Sequence, residues 1–182
     1  MKYQRGFTLV ELMYTVAVGA LVLGIGIPAF TETMRAGRMT ASVNTEITAM
    51  HVARSEAVKR RARVTLCRSA TGADPACDAD GTGYIVFANA ADDQTFDKAA
   101  DTLIKAGTWL ADGITVQYDG LPTYVSYTAS GFTRAVGGGT LAGNIVVCDD
   151  RGDRAARVIS LAATGRPQSR AHTDVAGAPS CE

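Results

Sequence analysis

The chain has 182 residues, with 18 Lys plus Arg balanced by 18 Asp plus Glu and a 47% hydrophobic fraction. These values exclude a disordered or fibrous chain, give no overall basic charge of the kind nucleic-acid binders carry, and fit one ordinary domain with something attached. The average hides an uneven distribution: the 24 residues from Phe7 to Phe30 contain one charged side chain, Glu11, so an evenly amphipathic cytosolic protein is excluded as well.

As a helix, residues 7–30 would be about 36 Å long, enough to cross a hydrocarbon core of about 30 Å. Lys2 and Arg5 precede the run with no acid among them, and Arg35 and Arg38 are the first basic residues after it. This short positive leader favours a cytoplasmic N-terminus with the rest of the chain exported. A secretory signal peptide does not fit, because its apolar region runs only about 7 to 15 residues before a small-x-small cleavage site. A plain anchor leaves Glu11 unexplained, since a carboxylate in a membrane helix costs on the order of 3 kcal/mol and usually has a partner and a function.

Gly6-Phe7-Thr8-Leu9-Val10-Glu11-Leu12 follows a basic leader and opens a continuous apolar run. In this it resembles the class III signal of type IV pilins and type II secretion pseudopilins. The resemblance implies cleavage between Gly6 and Phe7 by a prepilin peptidase, N-methylation of Phe7, and assembly with other pilins or pseudopilins after residence in the inner membrane. Glu11 would then be an assembly residue: its carboxylate pairs with the new ammonium group of a neighbouring subunit, which offsets desolvation and fixes the axial register of packed helices. Pro28 matches the same family, and with Gly24 and Gly26 it marks where the helix is expected to kink or locally melt.

From Met39 onward Val43, Ile47, Met50, Ala53 and Ala57 recur at steps of three and four, so the helix should continue as an amphipathic stem to about residue 60. Short β-like runs follow, separated by Gly, Asp and Pro: Val64 to Cys67, Tyr84 to Phe87, Thr102 to Ile104, Ile114 to Tyr118, Tyr124 to Tyr127, Ile145 to Cys148 and Val158 to Leu161. Ile114, Val116 and Tyr118 alternate with polar neighbours as a half-buried strand requires. The fold class is therefore α+β, a long helix packed on a mostly antiparallel sheet. The expected organisation is leader 1–6, membrane and filament-core helix 7–30, amphipathic stem 31–61 and β-rich domain 62–182. Gly137-Gly138-Gly139 reads as a turn and not as a phosphate loop.

Four cysteines suit an oxidising compartment and allow three pairings. Cys67 and Cys77 bracket a loop containing Thr71-Gly72 and Asp74-Pro75, while Cys148 lies on an expected strand and Cys181 in a polar tail. Cys67 with Cys77 and Cys148 with Cys181 is the favoured arrangement. Zinc is a poor alternative, since no two cysteines are closely spaced and the histidines are His51 and His172. Asp78, Asp80, Thr82 and Gly83 fall at calcium-loop positions, but Asn89 stands where a glutamate is needed, so a polar turn is expected. The sequence contains no GxSxG elbow, HExxH or P-loop. No catalytic residue, metal or cofactor is expected, and the chain reads as a structural protein.

The run Ala53-Arg54-Ser55-Glu56-Ala57-Val58-Lys59-Arg60 with Val64-Thr65-Leu66-Cys67-Arg68 is similar to the helix-to-strand junction of FimT-type minor pilins and H-type pseudopilins. Ala156-Arg157-Val158-Ile159-Ser160 with Gly165-Arg166 is similar to their C-terminal motif. Residues 70 to 143 match no motif of that group. Some FimT-type pilins bind DNA through a C-terminal Gly-Arg-x-Arg motif; here Gly165 and Arg166 match, Gln168 takes the second arginine's place, and the next arginine is Arg170. Charge distribution supports the same expectation. Residues 54–68 hold six basic side chains against one acid, residues 151–170 hold five against one, and residues 74–101 between them hold seven acids against one base. Arginines beside a polar tail suit phosphate contact without base readout. The candidate DNA-contacting residues are Arg166, Arg170, Arg157, Arg154, Arg60, Arg61 and Arg63. The readings in competition are a DNA-contacting type IV minor pilin, a type II secretion pseudopilin, and a membrane-tethered β-domain that never polymerises.

Overall fold

The computed structural model describes residues 6–70, 76–78 and 80–181. The long α-helix, α1, spans Leu9–Arg60. Its start is written in Thr8-Leu9-Val10-Glu11, which has the spacing of a capping box, and the Glu11 N–H donates to Thr8 Oγ1 at 3.3 Å. Lys59 and Arg60 stand in the last turn, where cations complement the helix dipole. The Lys2 and Arg5 leader lies outside the described residues.

The chain forms two compact units, one ending at Gly37 and the other beginning at Arg38. In the first, Leu12, Val16, Leu21, Val22, Ile25, Ile27 and Phe30 are all more than half exposed, so the helix is apolar all round, as one that lies in lipid or among other apolar helices must be. The helix continues through Pro28 without the local melting expected there. Thr31 Oγ1 donates to Pro28 O and Thr33 Oγ1 to Ala29 O, so nearby hydroxyls bond the backbone around a residue that lacks an N–H.

In the second unit α1 buries Met39, Val43, Ala49, Met50, Ala53 and Ala57, the expected stripe with small residues at intervals of four. Among the described residues eight strands follow: β1 Val64–Ser69, β2 Gly83–Ala88, β3 Thr102–Thr108, β4 Thr115–Asp119, β5 Tyr124–Tyr127, β6 Gly143–Cys148, β7 Arg157–Leu161 and β8 Pro167–Ala171. They form two four-stranded antiparallel sheets, ordered β3-β2-β1-β5 and β4-β6-β7-β8, where the sequence suggested one.

The helix and both sheets share one core: Met50 and Ala53 pack in one cluster with Val64, Ile85 and Phe87 from the first sheet and Ile145, Val147 and Ile159 from the second. The unbroken run Ile145-Val146-Val147-Cys148 explains the second layer, because alternate residues point to opposite faces and both faces must then be covered. Ile145 and Val147 face the main core, while Val146, Cys148 and Val158 form a second cluster with Val175, Ala178 and Cys181 of the C-terminal tail. Disulfides join Cys67 to Cys77 and Cys148 to Cys181. The second fastens the tail over the outer sheet face, aided by Cys181 N donating to Asp153 Oδ1 at 2.7 Å and Gln117 Nε2 to Ser180 O at 3.2 Å.

Candidate functional site

Two regions carry chemistry beyond packing. At the N-terminal end, Gly6 and Phe7 are exposed and precede the helix, and Glu11 sits in its first turn, an exposed carboxylate on an otherwise apolar surface.

The second region is basic, and its arginines are placed by strand register. Cross-strand partners share a face. Arg157 pairs with Val147 and Ala171, which puts it on the face directed at the main core, whereas Arg170 pairs with Val158 on the outer face. Arg154 lies in the β6–β7 connection, at the opposite end of β7 from Arg166 in the β7–β8 turn. The four C-terminal arginines expected to act together are thus divided between faces and ends of one hairpin. Arg170 also donates to Gln168 Oε1 at 3.1 Å, so the glutamine in the second arginine's place in the motif orients the next arginine.

The other expected arginines are partly engaged. Arg60 Nε donates to Glu56 Oε2 at 2.6 Å, and that pairing, with Lys59, holds the Glu56 carboxyl below its usual value. Arg63 is half-buried and pairs with Asp92. Burial pushes its guanidinium below the ordinary arginine value, and the neighbouring Arg134 pushes in the same direction. Arg61 is exposed, with a positive φ of 52° just past the helix end.

What the fold does bring together is a different set. Gly165, with φ +77°, lies so close to the next turn that a Cβ there would stand 2.3 Å from the Gly131 carbonyl oxygen. Gly131, with φ +78°, in turn lies against α1: a Cβ on it would meet Arg54 Nε at 3.1 Å and Val58 Cγ2 at 3.3 Å. Only glycine tolerates both the backbone angle and the approach. The contact therefore brings Arg54 of α1 to the turn that carries Arg166, and Arg134 lies three residues past Gly131, where a Cβ on Gly138 would meet its Nη2 at 4.0 Å. Beside Gly131, Phe132 is 52% exposed, and Val58 is 50% exposed. Arg54 opens the basic run 54–68 without being a candidate DNA contact, and Arg134 and Phe132 stand in the stretch 70–143 that matches no motif. The glycines were the available signal, but nothing local says that two turns distant in sequence meet.

The calcium-like spacing resolves into other contacts. Asp80 N donates to Asp78 Oδ1 at 3.0 Å in a local turn, and Asn89 is buried, donating to Thr65 Oγ1 at 3.1 Å and Asp93 O at 2.7 Å. The bracketed residues 71–75 lie outside the described residues.

A long helix with an apolar, acid-bearing first segment and a buried stem against antiparallel sheets defines a pilin-like protein. Residues 42–165 match the family described as Type II transport protein GspH, and residues 1–27 match the prokaryotic N-terminal methylation motif. The chain belongs to the GspH family. It is similar to "Prepilin peptidase-dependent protein D" of Escherichia coli (strain K12), 34% identical over 83 residues that cover 46% of this chain and 49% of that protein. The match thus spans about half the length of that relative. The fold is similar to that of the type IV minor pilin FimU of Pseudomonas aeruginosa in two crystal forms, with a TM-score of 0.54 in each, 19% and 20% identity, 74% and 79% of this chain covered and 94% of FimU. The family model and the N-terminal methylation motif together describe a pilin-like chain. The apolar first segment of α1, long enough to cross a membrane, and the methylation motif suit anchoring in the inner membrane.

Proposed function

We propose that the chain is a minor pilin of a type IV pilus that contacts DNA without sequence preference. It loses residues 1–6, is N-methylated at Phe7, holds its place in the filament through residues 7–30 and Glu11, and presents residues 62–182 on a stem of residues 31–61, with no reaction of its own. The observation that carries the DNA reading is the contact between Gly131 and Gly165, which sets Arg54 of α1 beside the turn that carries Arg166, with Arg134 three residues from Gly131. Among the described residues, no ion pair is recorded for these three, in contrast to Arg60 and Arg63. Guanidinium groups carried by a helix and two ordered turns suit phosphate, and each phosphate neutralised releases counterions. The test is fluorescence anisotropy of the processed chain in detergent with a random duplex. Binding that weakens steeply between 50 and 200 mM salt, with a shallower salt slope for Arg166→Ala, is the expected result. No binding at 50 mM salt ends the DNA reading.

The match of residues 42–165 to a type II transport family favours a second reading, an H-type pseudopilin whose partners are other pseudopilins. A deletion strain separates the two: loss of transformation or twitching with intact secretion supports the pilus, and the reverse supports the pseudopilus.

A further inference from the structure

We infer that Phe132 is a stacking platform for an unpaired nucleobase, with Arg54, Arg134 and Arg166 holding the adjoining phosphates. The inference rests on the DNA reading above and names the form of nucleic acid that this surface suits.

Phe132 is aimed outward by its neighbours. Gly131 and Thr133 are buried; Thr133 Oγ1 donates to Leu141 O at 2.6 Å, and Thr133 N donates to Ala163 O at 3.2 Å. The Phe132 carbonyl accepts from Thr128 N at 2.9 Å and from Thr128 Oγ1 at 3.1 Å. The backbone on both sides of the ring is therefore fixed, and the half-exposed ring needs little ordering when a ligand arrives. Val58 widens the apolar floor along α1.

The charge around the ring selects the partner. Arg54 touches Gly131, Arg166 follows Gly165, and Arg134 stands two residues beyond Phe132. The nearby acids have other occupations, Glu56 with Lys59 and Arg60, and Asp92 with Arg63. An aromatic ring among cations fits a strand that offers both a π-face and phosphates, and stacking is indifferent to base identity. In a duplex the base faces are already stacked on each other, so the ring adds nothing there. An acidic protein partner would use the arginines and gain little from an aromatic face.

The test uses the processed full-length chain in detergent micelles, with a labelled thymidine oligomer of about 16 nucleotides and the matching duplex. Phe132→Ala is expected to weaken single-strand binding about tenfold, the size of one lost stacking contact, while duplex binding stays within about twofold. Phe132→Trp is expected to restore the single-strand affinity, which a merely unfolded variant does not do. If the wild-type chain binds both forms and Phe132→Ala changes neither, the stacking inference is wrong and the DNA reading stands. If the wild-type chain binds neither form, both fall. If Phe132→Ala leaves DNA binding intact but lowers recovery in sheared filaments, the ring is a pilin contact and the inference is overturned.

Discussion

Glu46 of α1 lies buried beside Arg68 of β1, yet Arg68 turns Nε and Nη2 to the Gly81 carbonyl oxygen, at 2.9 and 2.6 Å, and not to the carboxylate. Burial raises the Glu46 carboxyl to about 8, and the positive charge of Arg68 only partly opposes this. Tyr118 of β4 and Tyr127 of β5 face the same acid, and burial, with the Glu46 charge, raises both phenols above their ordinary value. Tyr84 and Tyr124 join Glu46 and Arg68 around a pocket of about 10 Å³, room for about one water.

The folded state therefore holds a proton on Glu46 that the unfolded chain releases near 4.5. With the folded value raised, the stabilisation is fully present below pH 4.5 and is lost as pH climbs to about 8. Urea unfolding of residues 38–182 should show stability falling with pH across that window, by at most roughly 1.4 kcal/mol per unit from this group. Glu46→Gln should flatten the slope and exceed wild type at pH 8. An unchanged slope in Glu46→Gln would mean that Glu46 is ionised and solvated in the fold.

The Cys148–Cys181 bridge closes a loop across a sequence separation of 33 residues, which in the chain-entropy picture is worth about 3 to 4 kcal/mol. Its loss should also uncover Val146 and Val158, because the tail bearing Val175 and Ala178 is what covers them. Cys148→Ser with Cys181→Ser is expected to lower stability by about that amount and to make residues 172–181 cleavable by protease while the rest resists. Uniform cleavage across the domain would contradict a tail that opens locally.

Gly165→Ala tests the contact that assembles the basic surface. Its φ of +77° and the Gly131 carbonyl oxygen, which stands where a Cβ would crowd it, both oppose a side chain. A cost of roughly 1 to 3 kcal/mol in thermal unfolding is expected, together with weaker DNA binding than a control of equal instability elsewhere in the core. A variant as stable as wild type would show that the two turns separate freely.

Much of this architecture is legible from residue pattern. Val43, Met50, Ala53 and Ala57 mark the stem because burial follows a 3.6-residue period, and Ile145 to Cys148 marks a strand because four apolar residues in a row need cover on both faces. β8 is not legible, since Pro167-Gln168-Ser169-Arg170-Ala171 has no apolar alternation and its pairing comes entirely from β7. Glu46 escapes notice because a stripe read from apolar residues skips the acid, although Met39, Val43 and Met50 around it force it inward. The basic surface is hidden for another reason: charge runs locate Arg54 and Arg166 in sequence, but only the Gly131–Gly165 contact brings them to one place, and strand register sends Arg157 and Arg170 to opposite faces.

Glu11 is the residue on which assembly is expected to turn. It is exposed in the first turn of a helix whose other surface is apolar, so moving this segment from membrane to filament leaves a charge that only a partner subunit can neutralise. Removing one member of a buried charge pair costs about 3 to 5 kcal/mol, far more than a tenfold change in incorporation. Glu11→Ala should be cleaved after Gly6, remain membrane-inserted and keep both disulfides, yet fall at least about tenfold in sheared filaments. Glu11→Gln, which keeps the shape without the charge, should fail in the same way. Normal recovery of either variant would remove the charge pair from the account of assembly and leave helix packing alone to set the register.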